Sequence, residues 1–166
     1  DIIQEAGVAR GTYYLYFDSK KSIFDALIDD LLETIDNSIK RIEPLLTDPS
    51  PLEQLKDNMY RVFSVLNKKK KLTKILITYA TGIDADFDQK VLDFYQESLT
   101  TIETAISLGI QMELLRFCNT NVISCCILGC VKEVAFSLIS KNYNEDDIKE
   151  IADEVIQFGL NGLLIH

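Results

Sequence analysis

Apolar residues recur at helical spacing through most of the chain and set out its elements in order. From Lys20 to about Ile42, Ile23, Phe24, Leu27, Ile28, Leu31, Leu32, Ile35 and Ile39 share one stripe, with Ser19 placed to cap the helix N-terminus. Pro44, Pro49 and Pro51, with Thr47, Asp48 and Ser50, predict a loop. Leu52, Leu55, Met59, Val62, Phe63 and Leu66 predict a helix over 52–66. Asn67 and the run Lys68–Lys71 end it, as basic residues at a helix C-terminus and in an exposed loop. A short helix over 72–81 stops at Gly82, and the polar stretch 84–88 leads into a long helix over 88–109, striped by Val91, Leu92, Tyr95, Leu99, Ile102 and Ile106. After a connection through Arg116 and Asn119–Asn121, helices follow over 122–140 and 146–164, separated by a turn at 142–144. Glu145, Asp146 and Asp147 put acid at the start of the last helix, as its dipole prefers. The pattern predicts an all-α chain.

The last two helices carry more apolar positions than one packing face uses. Ile123, Ile127, Val131, Val134 and Leu138 lie on the first, beside the small residues Ser124, Cys125 and Gly129; Ile148, Ile151, Ala152, Val155, Ile156, Gly159, Leu160 and Leu163 lie on the second. One stripe can face the core of the same chain, and the other needs a second partner.

The N-terminal stretch DIIQEAGVARGTYYLYFDSKKSIF reads differently. It divides into a short helix, a tight turn at Gly7–Val8 and a second short helix from about Ala9 to Phe17. Gly7 supplies the backbone freedom of a sharp interhelical turn. Ile3, Val8, Tyr13 and Phe17 can cluster beneath it, which leaves Arg10, Gly11, Thr12, Tyr14 and Tyr16 outside, with Lys20 just beyond. Those groups donate hydrogen bonds or lie flat, and Gly11 permits close backbone approach. Such a helix suits a DNA major groove, with its N-terminal residues on base edges. Lys20 and Lys21 oppose the dipole of the helix they begin, a cost that a phosphate at that N-terminus would reverse, and Lys20 is the favoured contact.

The run Glu5-Ala-Gly-Val-Ala-Arg-Gly-Thr-Tyr-Tyr-Leu-Tyr-Phe-Asp-Ser-Lys-Lys-Ser-Ile-Phe24 resembles the TetR family of bacterial transcriptional regulators. The resemblance is dense over these residues, while the rest matches in helical layout rather than motif. Three departures stand out. Ala9 occupies a position where the family often has a Ser or Thr cap, worth about 1 kcal/mol. Ile3 replaces a small residue. The family's first helix is missing, so the sequence reads as an N-terminally truncated fragment. The resemblance implies a DNA-binding region at 1–43, ending in the connecting helix, and a ligand-binding and dimerisation domain at 44–166. It implies that the last two helices pair with their symmetry mates, with Ile127, Gly129, Val134, Leu138, Val155, Gly159 and Leu163 as interface candidates. It also implies an effector cavity. Met59, Phe63, Tyr79, Phe94, Tyr95 and Met112, with Cys126 on a facing helix, are the candidates to line it, since soft and aromatic side chains suit a mostly apolar ligand.

Composition narrows the functional classes. Net charge is −9, yet residues 1–21 balance Arg10, Lys20 and Lys21 against Asp1, Glu5 and Asp18. The acidic excess therefore lies in the body, and DNA contact is confined to the N-terminal end. Cys118, Cys125, Cys126 and Cys130 raise a metal or redox reading, but His166 is the single histidine and no second Cys pair has zinc spacing. Burial of these thiols as small hydrophobes is the stronger reading, and a reducing cytoplasm fits. Asp84, Asp86 and Asp88 alternate like part of a calcium loop without its glycine and terminal glutamate. No apolar run reaches the length of a membrane span, and no cofactor is implied.

The leading reading is a TetR-type regulator, in the main a repressor, that binds operator DNA as a homodimer and is released by a small hydrophobic or amphipathic effector. The alternative is an all-α dimeric small-molecule-binding module without DNA binding in this truncated form. An enzyme has little support, because no nucleophile–base constellation or phosphate loop is present.

Overall fold

The computed structural model describes Gly7, residues 19–78 and residues 85–163. These form six helices and, among the described residues, no strand: α1 (Lys20–Ser38), α2 (Pro51–Lys68), α3 (Lys70–Thr78), α4 (Ala85–Gln111), α5 (Thr120–Ser140) and α6 (Glu145–Asn161). Gly7 lies in a turn with φ of 63°, the backbone state for which the sequence needs a glycine.

Local chemistry explains the boundaries. Ser19 and Ser22 form a reciprocal capping box at the start of α1. That helix ends at Ser38, four residues short of the expected Ile42, where Ile39 turns extended. Pro51 belongs to α2 rather than to the loop: it occupies the first turn, where its missing N–H costs nothing, behind the Ser50–Glu53 box. The lysine run is also not a loop. Lys68 ends α2, Lys69 caps it, and Lys70 already begins α3. Asp86, Phe87 and Asp88, read from sequence as a lead-in, sit in the first turn of α4, and Phe87 is buried. Asn119 and Asn144 cap α5 and α6, the latter in a box with Asp147.

One cluster joins the helices: Ile28, Leu31 and Ile35 of α1, Phe63 and Leu66 of α2, Leu76 of α3, Phe87 and Val91 of α4, Ala135 and Leu138 of α5, and Ile148 and Ala152 of α6. α2 and α6 run antiparallel. Asn67 Nδ2 donates to the Tyr143 carbonyl at 3.2 Å, Lys149 lies over the Tyr60 ring, and Lys56 pairs with Asp153 at 3.3 Å. Leu27, Ile39 and Leu92 depart from their expected stripes and face solvent, because the neighbouring helices cover a narrower arc than the pattern offered.

The segment 39–50 is stitched to α2. Asn58 bonds both backbone groups of Lys40, at 2.9 and 2.7 Å, and Gln54 does the same for Glu43, at 2.7 and 3.1 Å. Two side-chain amides thus replace the backbone partners that a loop would otherwise seek in water.

Candidate functional site

The proposed reader residues Arg10, Gly11, Thr12, Tyr14 and Tyr16 lie outside the described residues, as does the side chain of Lys20. The structure does describe what holds the reader's supporting helix. α1 lies flush against α2 and α3 but reaches α4 through side chains. Phe24 and Phe87 meet with ring centroids 5.3 Å apart, Lys21 donates to Asp86 at 3.1 Å, and Asp29 accepts from Lys90 at 2.5 Å. On its other side, Asp30 accepts from Lys69 at 2.5 Å, and the same ammonium reaches Thr34 at 2.9 Å. Lys21 therefore serves the body.

The effector candidates divide. Phe63 is fully buried in the shared core, with Met59, Phe94 and Tyr95 packed against that core. Lys132 sits 4.4 Å from the centre of the Tyr95 ring, and burial raises the Tyr95 phenol above its ordinary pKa. Met112 lies just beyond α4, half-buried, and Tyr79 is outside the described residues. Cys126 is exposed on α5, on the outside rather than towards Phe63. Two clefts lie elsewhere. One of about 590 Å³ is lined by Ser107, Ile110, Gln111, Phe117, Cys118, Asn119 and Thr120. The other, about 400 Å³, is lined by 67–72.

The interface candidates also divide. Leu138 and Leu163 are buried within their own chain, and Val134 and Val155 pack against its core, so these positions are spent internally. Gly129 is exposed, and a methyl group there or at Gly159 would meet no atom within 4 Å. The uncovered apolar surface instead includes Val122 and Phe136 on α5 and Phe158 on α6, the last 75% exposed. Sequence reasoning missed both aromatics. The signal was present, because Phe136 follows Gly129 by two turns and Val122 precedes it by two, on one face.

α5 also corrects two expectations. It is long and apolar enough to cross a membrane by length and composition, with mean hydropathy 2.0 and 17% of the window buried. Lys132 and Glu133 interrupt it, and it packs against α4, α3 and α2 as a bundle helix. The cysteines are not buried: Cys125 and Cys126 are exposed, and Cys118 and Cys130 are half-covered. Among the described residues, no group of three or more His, Cys, Asp or Glu could hold a metal.

These features define a class first: among the described residues, an all-α fold of six helices around one core. Residues 1–27 match the family model for bacterial regulatory proteins of the tetR family. A stretch of 40 residues is 45% identical to the uncharacterized HTH-type transcriptional regulator YvdT of Bacillus subtilis (strain 168). That match takes in 24% of this chain and spans 21% of the relative's length. Among solved structures, a Clostridium perfringens protein assigned as a fatty acid metabolism regulator superposes with a TM-score of 0.75 at 24% identity, over 99% of this chain and 88% of that one. The transcriptional regulator FadR from Bacillus subtilis, in complex with stearoyl-CoA, gives 0.68 at 23% identity, over 99% and 87%. The N-terminal segment is thus similar to the tetR family, and the fold to that of these regulators. That family and these structures are regulators, not enzymes.

Proposed function

We propose that the chain is an effector-responsive transcriptional repressor of the TetR type, acting as a cytoplasmic homodimer on operator DNA. The observation that carries this reading is the tetR-family match at residues 1–27, on a chain whose helices follow those regulators nearly end to end. Residues 1–43 form the DNA-binding region, with Arg10, Gly11, Thr12 and Tyr14 at base edges and Tyr16 and Lys20 on phosphate. Residues 44–166 form the effector-binding and dimerisation region. The two readers of a dimer meet successive major grooves about 34–36 Å apart. An effector that favours another spacing releases them, and each tenfold loss of operator affinity needs about 1.4 kcal/mol of differential binding. The FadR complex with stearoyl-CoA supports an amphipathic effector, entering where Met59, Phe94 and Tyr95 approach the core.

The test is selection of duplexes from a random pool by the full-length protein, then anisotropy on the selected duplex with and without stearoyl-CoA. Recovery of a palindromic site, released by the acyl compound, is the expected result. Failure to enrich any site leaves a binding module without DNA function and refutes the repressor reading. Enrichment without release refutes the acyl effector.

A further inference from the structure

Lys68–Lys71 is the longest run of positive charge in a chain of net charge −9. Acids outnumber bases by 26 to 17, yet among the described residues only Lys69 of the four takes a carboxylate, Asp30 at 2.5 Å. Lys70 donates to two neutral acceptors, the Lys141 carbonyl and Asn142 Oδ1, the latter at 3.2 Å. Lys68 and Lys71 are exposed and have no partner among the described residues. The acids just past Asn142 are engaged elsewhere. Asp147 accepts from the Asn144 N–H at 2.8 Å, and Asp146 pairs with Lys149 at 3.7 Å.

The same four residues, with Asn67 and Leu72, line the cleft of about 400 Å³. Because Lys69 alone separates α2 from α3, the end of one helix and the start of the next both contribute to it. We propose that this cleft is a binding site for a polyphosphate group, as carried by a nucleoside diphosphate or by free pyrophosphate. Adjacent ammonium groups repel one another, and a multivalent anion among them removes that repulsion. Asp30 cannot, since it engages one and leaves three. Lysine meets phosphate as a mobile point charge, and its methylene stem can wall a cleft beside Leu72. The volume falls among those of small-molecule sites, about 300–1,000 Å³, and is roomier than one phosphate needs. Duplex DNA presents singly charged phosphates on a convex surface, which suits a ridge of lysines better than a cleft.

Lys69 links this site to α1. Its ammonium holds Asp30 and Thr34, at 2.5 and 2.9 Å. An anion in the cleft competes with Asp30 for that ammonium, so occupancy of the cleft and anchoring of α1 oppose one another. The assignment of the cleft itself depends neither on the effector pocket nor on DNA binding.

The test is calorimetric titration of the full-length protein with inorganic pyrophosphate and with ADP, in about 0.15 M salt to screen diffuse attraction. Saturable binding of one equivalent is expected. Equal affinities make the pyrophosphate group the ligand, and tighter binding of ADP adds the nucleoside. Replacing both Lys68→Ala and Lys71→Ala should weaken binding about tenfold or more, with helical circular dichroism retained. Lys40→Ala removes an exposed lysine just past the end of α1 and should leave the affinity unchanged. Asp30→Asn should tighten binding by releasing Lys69. Asp29→Asn removes an equal charge one residue away but releases Lys90 instead, and should have no effect. No binding of either compound at millimolar concentration overturns the proposal, as does an equal loss in Lys40→Ala. Equal effects of Asp30→Asn and Asp29→Asn overturn the competition for Lys69. If neither compound binds and the double lysine variant lowers the salt slope for DNA, the run is a DNA contact and the proposal fails.

Discussion

Asp29 and Asp30 are neighbours in sequence, yet they tie α1 to two different parts of the body. Asp29 takes Lys90 of α4 and Asp30 takes Lys69 at the α2–α3 corner, each at 2.5 Å. Successive helical residues diverge by about 100°, so one turn of α1 straddles two elements. The buried side of the same helix, Ile28, Leu31 and Ile35, fixes its depth in the core.

The Lys69 pair should contribute modestly, because Asp30 remains largely exposed and water screens the attraction. Lys69→Ala is expected to destabilise by about 0.5–1 kcal/mol, through the lost pair and the lost Thr34 bond. The exchange Asp30→Lys with Lys69→Asp should recover part of that. Urea midpoints for wild type, Asp30→Lys, Lys69→Asp and the double exchange give the coupling, and additive losses would show that the two side chains do not interact.

Phe63 is a core residue, with no exposed surface. Phe63→Ala should cost about 3–5 kcal/mol, whatever the effector proves to be. A loss below about 1 kcal/mol in chemical denaturation would instead mean that its ring borders an open cavity.

The uncovered face makes a contrasting pair. Phe158→Glu should give a monomer with its helical circular dichroism retained, because the ring touches little of its own chain. Leu138→Glu should unfold the chain, because it buries a charge within the apolar core cluster. Sedimentation and circular dichroism on both variants check this, and a dimeric Phe158→Glu protein would remove the α5–α6 face from the interface.

At the DNA end, Lys20→Ala should weaken binding to every duplex and reduce the salt slope by about one. Arg10→Ala should relax discrimination at one base position, by about 1–3 kcal/mol if the guanidinium grips a guanine. Anisotropy titrations across salt concentrations and single-base variants measure both. Unchanged affinity in both variants would exclude this helix as the reader.

Glu53 carries a pH signature. The Ser50 hydroxyl, and next its backbone N–H, donate to the Glu53 carboxylate at 2.6 and 2.7 Å and hold it below the usual glutamate pKa. A depressed folded pKa adds stability that is present above the unfolded pKa and is lost as pH falls through the folded one. Wild type should therefore melt above Glu53→Gln at neutral pH, with the gap closing in acid. Melting curves across that range decide it, and a constant gap rules out the ionic contribution.

The helices were legible because their apolar spacing and caps agree, as at Ser19 and Asp147. Breaks were less so. Lys68–Lys71 reads as a loop on charge alone, yet one residue, Lys69, separates α2 from α3, and Lys70 is held by the Lys141 carbonyl and Asn142. That partner is far away in sequence. The interface candidates show the same limit. Periodicity finds apolar positions but cannot tell which stripe the chain itself consumes, so Leu138 was grouped with Gly129 and Phe158 was passed over. The pairing of Asp29 and Asp30 left no mark in the sequence, because surface acids are ordinary on a solvated helix.

Among the described helices, the most extensive pairing joins the second to the sixth. Arg116 adds a clasp at the same far end, its Nε donating to the Gly162 carbonyl at 2.7 Å and its backbone N–H to the Leu163 carbonyl at 2.8 Å. A ribosome releases these partners at opposite ends of this stretch. The apolar side of α2 therefore emerges with no lid, and α5 follows it while both still wait for α6. The nascent chain completes its core only once α6 is out, and its exposure to chaperones and to misassociation until then is set by how quickly that helix follows.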